Sequence, residues 1–135
     1  MPIEFTVTLR NTPGALAEIG AALGEKGVNI HALQAMSFGD QSVLKLVVSN
    51  PALAGHELED HGLPFRTREV LAVRVSDEPG RLGQLSEAIA AQGVNIDSAY
   101  LAMDQSVILG VSNMERAAAV ARSLGSAAPE SGSPA

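Results

Sequence analysis

One segment of the chain occurs twice. A proline-glycine pair, a leucine and a Gly-Val-Asn-Ile run at residues 13–30 recur at residues 79–96 with identical spacing, at an offset of 66 residues. A repeat of this length is too long for a solenoid unit and matches the size of one small α/β module. We therefore interpret the chain as a tandem of two similar modules, and its function should lie in what the duplicated segment can hold.

The composition excludes several classes of function. Of the 135 residues, 46% are hydrophobic, 3% are aromatic and none is cysteine, and the net charge is -6. Without cysteine there is no disulfide, no thiol nucleophile and no thiolate metal site. The nine basic residues form no cluster, and few aromatic rings are present on which bases could stack. We therefore expect no nucleic-acid partner.

Each half of the chain is small for an independent domain. At about 65 residues, one half alone would fold only marginally, so we expect each half to pack against the other or against a second chain.

No apolar run reaches the roughly 20 residues of a membrane span, and residues 1–4 lack the features of a signal peptide. We expect a cytoplasmic location and no membrane partner.

The periodicity of the first half predicts the order βαββαβ. Residues 3–9 alternate as in a half-buried strand, and Thr12 is the expected N-cap of a helix with Pro13 at its first position and Gly27 at its end. The remaining elements are predicted as strands at 28–36 and 43–48, a helix from Asn50-Pro51 to Gly62, and a closing strand at 63–70. This is an α+β, ferredoxin-like fold with two helices on one face of an antiparallel sheet.

The second half repeats this course without a closing strand. Its predicted elements are a strand at 71–76, a helix ending at Gly93, strands at 94–103 and 107–111, and a helix from Asn113 to Leu124-Gly125. The small polar residues of 126–135 predict a disordered tail. The expected domains are therefore 1–69, 70–125 and the tail at 126–135. The two modules are expected to form one extended sheet, with the last strand of the first nearly continuous with the first strand of the second, and with an open edge on the second module.

Two duplicated features could bind a small molecule. The loops at 11–14 and 77–80 each lead into a helix N-terminus, where free N–H groups and the helix dipole favour a carboxylate or phosphate. Asn29 and Asn95 begin the next strand, and an amide there offers both a donor and an acceptor to a zwitterion. The alternative is a structural role, in which proline and glycine serve only the turn and each asparagine satisfies its own backbone.

The combination of loop, helix and Gly-Val-Asn-Ile run resembles a tandem of ACT domains over about residues 3–125. ACT domains are small ligand-binding modules of regulated amino-acid metabolic enzymes such as aspartate kinases and phosphoglycerate dehydrogenases. The resemblance implies a βαββαβ fold, modules paired side by side into an eight-stranded sheet, and an amino acid bound at the interface between two modules.

The resemblance assigns candidate ligand-binding residues where the motif fits. The first module contributes Asn11, Thr12, Gly14, Ala15, Leu16, Asn29 and Ile30, and the second contributes Asp77, Glu78, Gly80, Arg81, Leu82, Asn95 and Ile96. Asp77 differs in charge from Asn11, so it would suit an ammonium group and repel a carboxylate. We therefore expect two unequal sites.

Catalytic and metal motifs are weak. His56 and His61 are one residue too far apart for a zinc-protease helix, because five positions place the two rings about 140° apart; the default is a solvated charged face. His31 and Asp97 are expected on the strand surface, with a place in the ligand cleft as the alternative. With no nucleophile elbow, phosphate loop or dinucleotide fingerprint, we expect no enzyme activity and no cofactor.

The predicted function is therefore regulatory. A homodimer would bind a small amino acid or related metabolite and signal to a separate, unknown partner protein. Two alternatives remain, a ligand-independent interaction or oligomerisation module and, opposed by the charge and the scarcity of aromatic residues, a nucleic-acid-binding ferredoxin-like domain.

Overall fold

The computed structural model describes residues 1–124 and divides into two compact units. One unit is Ile3–Arg68, and the other joins Met1–Pro2 to the chain from Glu69 onward. The first two residues belong to the second unit because the Val70 amide donates to the Pro2 carbonyl oxygen at 3.0 Å and Met1 packs against the second core. The domain boundary predicted from the sequence keeps residues 1–69 together, and it differs from this division at residues 1, 2 and 69.

The first unit has the predicted order βαββαβ. Its elements are β1 (Ile3–Arg10), α1 (Ala15–Glu25), β2 (Ile30–Phe38), β3 (Gln41–Val48), α2 (Pro51–Asp60) and β4 (Phe65–Glu69). The four strands form one sheet in the order β2-β3-β1-β4, in which β3 is antiparallel to both β1 and β2. The predicted ferredoxin-like α+β fold is confirmed.

The core of the first unit follows the predicted alternation of β1. Phe5, Val7 and Leu9 are buried against Ile19 and Leu23 of α1. The Phe5 and Phe65 rings lie 5.4 Å apart, which fastens β4 to the same core. Burial of each such side chain contributes about 1.5–3 kcal/mol relative to exposure, so this apolar face holds α1 on the sheet.

The second unit repeats the fold up to its second helix. Its elements are β5 (Leu71–Arg74), α3 (Arg81–Ala91), β6 (Ile96–Leu101), β7 (Ser106–Val111) and α4 (Met114–Ser123). The sheet order is β5-β7-β6, and within residues 1–124 no closing strand follows α4. β5 therefore lies at an edge of its sheet, as the sequence predicts. The tail predicted at 126–135 lies outside the described residues.

The strands form two hydrogen-bonded sheets where one extended sheet was expected. Val70 alone separates β4 from β5, which confirms their near-continuity, but β4 pairs with β1 while β5 pairs with β7. The strand sets of the two sheets are therefore distinct. No helix among the described residues is long and apolar enough to cross a membrane.

The N-termini of the helices are capped in two different ways. Asn50 and Asn113 cap α2 and α4 through their side chains, which accept from the amides of Leu53 and Arg116 at 3.1 and 3.0 Å. The prediction of Thr12 as the N-cap of α1 is wrong, because the N-cap is Gly14, whose φ of 86° is left-handed, and the helix begins at Ala15. The Thr12 side chain makes no capping bond, since the positive φ of Gly14 turns the chain before the helix starts.

Candidate functional site

The loop before α1 leaves backbone donors without acceptors. The Ala15 amide donates to the Thr12 carbonyl oxygen at 3.3 Å, and the Glu18 amide donates to that of Gly14 at 3.0 Å. The amides of Leu16 and Ala17 have no acceptor among residues 1–124. The first amides of any helix lack intrahelical partners, and the dipole places partial positive charge there. A carboxylate could accept from this pair.

The loop before α3 has nearly the same backbone. Gly80 has φ 88° and ψ -6°, against 86° and -6° for Gly14, and the Gln84 amide donates to its carbonyl oxygen at 3.0 Å. In the described part of the chain, the amides of Leu82 and Gly83 likewise have no acceptor. The two loops therefore present the same donor geometry.

The polar residue at the start of each loop behaves differently. The Asn11 side chain donates through Nδ2 to the Gly39 carbonyl oxygen at 3.0 Å, and the Asn11 amide donates to that of Asp40 at 2.8 Å. Asp77 is exposed and makes no such bond within residues 1–124. The first loop is thus tied to the β2–β3 hairpin, whereas the second is not.

Charge also distinguishes the two loops. Arg81 at the start of α3 lies 3.7 Å from the carboxylate of Glu78 and donates to the side chain of Gln84 at 3.3 Å. Ala15, the counterpart of Arg81, is apolar and packs against the first core. Ion pairs this exposed are worth at most about 1 kcal/mol, so they adjust the local potential more than the stability.

The candidate asparagines lie at the opposite end of each sheet from the candidate loops. β1 ends where Arg10 pairs with Gln41, whereas β2 begins where Ile30 pairs with Val48. At roughly 3.3 Å per residue, the length of β3 separates these ends by about 23 Å. In the second unit the ends are marked by Ser106 and Val111, about 17 Å apart. Within one module, the loop and the asparagine cannot meet at one ligand.

Two serines that the sequence analysis did not single out hold these asparagines. The Asn29 amide donates to Ser49 Oγ at 2.9 Å, and the Ser49 amide donates back to the Asn29 carbonyl oxygen at 2.9 Å. Asn95 and Ser112 make the same two bonds, each at 2.9 Å. The sequence feature that marks these serines is a Val-Ser-Asn run at 48–50 and at 111–113. Its offset of 63 residues differs from the offset of the main repeat.

The residues after each asparagine are also arranged alike. Ile30 and Ile96 are partly buried and pack against the two cores, so they anchor the strands and offer a ligand little surface. The register slips by one residue directly afterwards, at His31 and at Asp97. β-bulges commonly redirect a side chain beside a functional site. Leu16 and Leu82, by contrast, are about half exposed beside the free amides.

His61, the C-cap of α2, lies among charged side chains. The two ring nitrogens of His61 are each 3.7 Å from a carboxylate oxygen, one of Glu18 and one of Glu57. Lys26 lies 3.5 Å from the same Glu57. No group of three or more metal-ligating side chains occurs in the described part of the chain.

The β6–β7 hairpin carries a perturbed carboxylate. Asp104 accepts from the hydroxyl and the amide of Ser106 at 2.7 and 3.0 Å and lies 3.6 Å from Arg74. The hydrogen bonds from Ser106, followed by the Arg74 charge, lower the pKa of Asp104. Gln105 beside it has φ 71°, the one positive φ of a non-glycine residue among those described.

Comparison with protein families gives a match to part of the chain. Residues 3–52 match the ACT domain model. No curated protein matches the sequence. The family match covers β1 through the start of α2, and so includes the first loop and Asn29.

Solved structures with the same fold extend over nearly the whole chain. A protein of Bacteroides thetaiotaomicron is 25% identical with a TM-score of 0.85, covering 93% of this chain and 89% of that chain. The ligand-free regulatory subunit of aspartate kinase from Thermus thermophilus is 18% identical with a TM-score of 0.70, covering 92% and 91%. The regulatory subunit from Thermus flavus is 19% identical with a TM-score of 0.62, covering 92% and 90%. The chain therefore shares its overall fold with these solved structures.

Proposed function

We propose that this chain, whose residues 3–52 match the ACT domain model, is a non-catalytic regulatory protein that binds a small amino acid or a related metabolite. The same fold occurs in regulatory subunits of aspartate kinase. Ligand binding would alter the association of the chain with a separate partner protein.

The observation that carries this proposal is the pair of unpaired amides at the start of α1, repeated at the start of α3. Leu16 and Ala17 in one module, and Leu82 and Gly83 in the other, point N–H groups out of a helix N-terminus. A carboxylate is the group such a site favours. An exposed asparagine side chain supplies the donor and acceptor that the rest of an amino acid needs.

The ligand would be shared between modules. Since Asn29 lies at the far end of the sheet from the loop at 11–14, one small molecule cannot contact both in the same module. We therefore propose that the loop of a module in one protomer and the asparagine of a module in its partner hold the same ligand, and the expected homodimer supplies the second chain. This agrees with the arrangement implied by the family resemblance.

The two loops would select different chemistry. Arg10 precedes the first loop, which contains no acidic residue, so a carboxylate is favoured there. Asp77 and Glu78 precede the helix in the second loop, with Arg81 following. The second loop would bind a ligand that carries an additional cationic group, or it would bind no ligand.

The mechanism is linkage between ligand and assembly. A ligand held by two modules favours the arrangement that brings them together, and it changes a partner's affinity only by its differential affinity for the available arrangements. Coupling of this kind is typically worth 1–3 kcal/mol. A modest ligand affinity is therefore enough for regulation.

A thermal-shift screen with each of the twenty amino acids tests this function. At 100 times its dissociation constant, a ligand raises the free energy of unfolding by about 2.7 kcal/mol, which corresponds to several degrees. We expect one or a few amino acids to raise the unfolding midpoint. In an Asn29→Ala variant, we expect a smaller number of amino acids to raise it. An unfolding midpoint that none of the twenty amino acids changes would contradict amino-acid binding.

The alternative is a ligand-independent oligomerisation module. Large apolar side chains are exposed towards the hairpin ends, at Met36, Phe38, Leu101 and Met103, the last being 83% exposed. Exposed apolar residues at a sheet edge favour association with another chain. Under this alternative, sedimentation would give an oligomer whose mass no amino acid changes.

A further inference from the structure

We infer that Ser49 and Ser112 are positioning residues of the amino-acid site. Each serine fixes the backbone of the adjacent asparagine and leaves its side-chain amide available to the ligand. This inference rests on the proposed function, and it concerns residues outside the candidate set read from the sequence.

The bonds between Asn29 and Ser49 replace a normal strand pair. In an antiparallel sheet, two hydrogen-bonded residues exchange amide and carbonyl bonds in both directions. Here the Ser49 amide donates to the Asn29 carbonyl oxygen as expected, but the Asn29 amide donates to the serine hydroxyl oxygen, both at 2.9 Å. The side chain of Ser49 therefore completes the pair.

The next residue explains why a hydroxyl is needed there. Asn50 leaves the strand with φ -137° and ψ 89° and caps α2, so the chain turns away from β2 directly after Ser49. Asn113 does the same after Ser112, with φ -146° and ψ 100°. A serine side chain reaches back from this corner and secures the first residue of the neighbouring strand.

The asparagine side chains are left free by this arrangement. Asn29 and Asn95 are exposed, and their side-chain amides have no partner within residues 1–124. Their backbones are held on one side by the serine and on the other by the packed Ile30 and Ile96. A fixed backbone with a free amide is a pre-organised contact, which lowers the entropy lost on binding.

The arrangement is repeated although the surrounding sequence has diverged. The offset between the two copies falls from 66 at the asparagines to 63 at the serines, because the second hairpin is shorter. Each copy nevertheless keeps the same two bonds, and all four bonds are 2.9 Å long. The bulge at His31 and Asp97 follows directly in both.

The variants Ser49→Ala and Ser112→Ala test the inference in the full chain, with Ser49→Thr and Ser112→Thr as variants that keep the hydroxyl. Ser37→Ala is the matched control, because Ser37 also makes an exposed hydroxyl bond, to Ser42 at 2.7 Å, but at the hairpin end of the sheet. Dissociation constants for each of the twenty amino acids are measured by calorimetric titration, together with the unfolding midpoint.

We expect at least one alanine variant to weaken binding of the responding amino acid by about three- to tenfold, the effect of one hydrogen bond. The corresponding threonine variant should stay within about twofold of the original chain, and Ser37→Ala should bind normally. Loss of binding in the alanine variant and its recovery in the threonine variant, at equal unfolding midpoints, identifies positioning.

Unchanged affinity in both alanine variants, in a chain that binds an amino acid, would overturn the inference and leave the proposed function intact. Equal weakening in alanine and threonine variants would also overturn it. If the original chain binds none of the twenty amino acids, the function and the inference fall together. Should an alanine variant not fold, the threonine variant decides, because the inference requires it to bind normally.

Discussion

The side-chain amide of Asn11 donates to the carbonyl oxygen of Gly39 at 3.0 Å. This bond joins the loop before α1 to the β2–β3 hairpin, and the Asn11 backbone amide adds a second bond to Asp40. Asp77, the counterpart of Asn11, has neither bond in the described chain. The duplicated loops thus share a backbone and differ in their support.

Asn11→Ala should therefore destabilise the chain more than Asp77→Ala. Removing the Gly39 bond should lower the free energy of unfolding by about 0.5–1.5 kcal/mol, whereas the Asp77 change should stay within about 0.5 kcal/mol. Urea unfolding of the two variants measures the difference. Equal losses would mean that the bond to Gly39 does not stabilise the loop.

Gly14 and Gly80 should not tolerate alanine, although there is space for it. A Cβ at either position meets no atom within 4 Å, but φ is 86° and 88°. The left-handed conformation should lower the free energy of unfolding by about 1–2 kcal/mol in each alanine variant.

Gly20→Ala is the matched control for these glycines. Gly20 also has open space around its Cβ position but lies inside α1, so alanine there should raise the free energy of unfolding by about 1 kcal/mol. Chemical denaturation of the three variants separates backbone strain from packing. A stabilising Gly14→Ala variant would contradict the left-handed N-cap.

Gln105→Gly should stabilise the second unit. Gln105 adopts φ 71° in the β6–β7 hairpin, where a side chain costs about 1–2 kcal/mol and glycine costs roughly half as much in chain entropy. We expect a net gain of about 0.5–1 kcal/mol, seen as a higher unfolding midpoint. Gln105→Ala retains the strained φ and should show no such gain.

Asp104 should contribute a pH-dependent part of the stability. Its pKa is lowered in the folded chain by Ser106 and Arg74, so its contribution is present above the ordinary pKa of 3.8 and is lost as the pH falls below that value. Asp104→Asn should therefore be less stable than the original chain at pH 7, and the difference should shrink below about pH 4.

Asp40→Asn is the control for this pH dependence. The Asp40 side chain makes no hydrogen bond or ion pair within residues 1–124, and the variant should stay within about 0.5 kcal/mol of the original chain. Urea unfolding between pH 3 and 7 tests both variants. A constant difference for Asp104→Asn across this range would contradict the assigned bonds.

The sequence predicted the elements well because their signals are local. The alternation of β1 and the Asn50-Pro51 cap were read correctly. Threonine before proline is a common helix start and so predicts a cap at Thr12, whereas the N-cap in the fold is the left-handed Gly14.

Features that depend on pairing between distant residues were harder to predict. The repeat placed the loop and Asn29 in one motif, but strand register puts them at opposite ends of the sheet. The bond between Asn29 and Ser49 joins residues that are 20 apart in the sequence. Because the second hairpin is shorter, a comparison at a fixed offset does not align Ser49 with Ser112. Site geometry of this kind is set by register, which a single sequence specifies only weakly.

The most direct test of amino-acid binding is an NMR titration of the full chain with the amino acid that gives the largest thermal shift. We expect the backbone amide signals of Leu16 and Ala17, or of Leu82 and Gly83, to shift on binding. The side-chain amide of Asn29 or Asn95 should shift at the same ligand concentration. Shifts confined to other parts of the chain, or no shifts with any of the twenty amino acids, would contradict it.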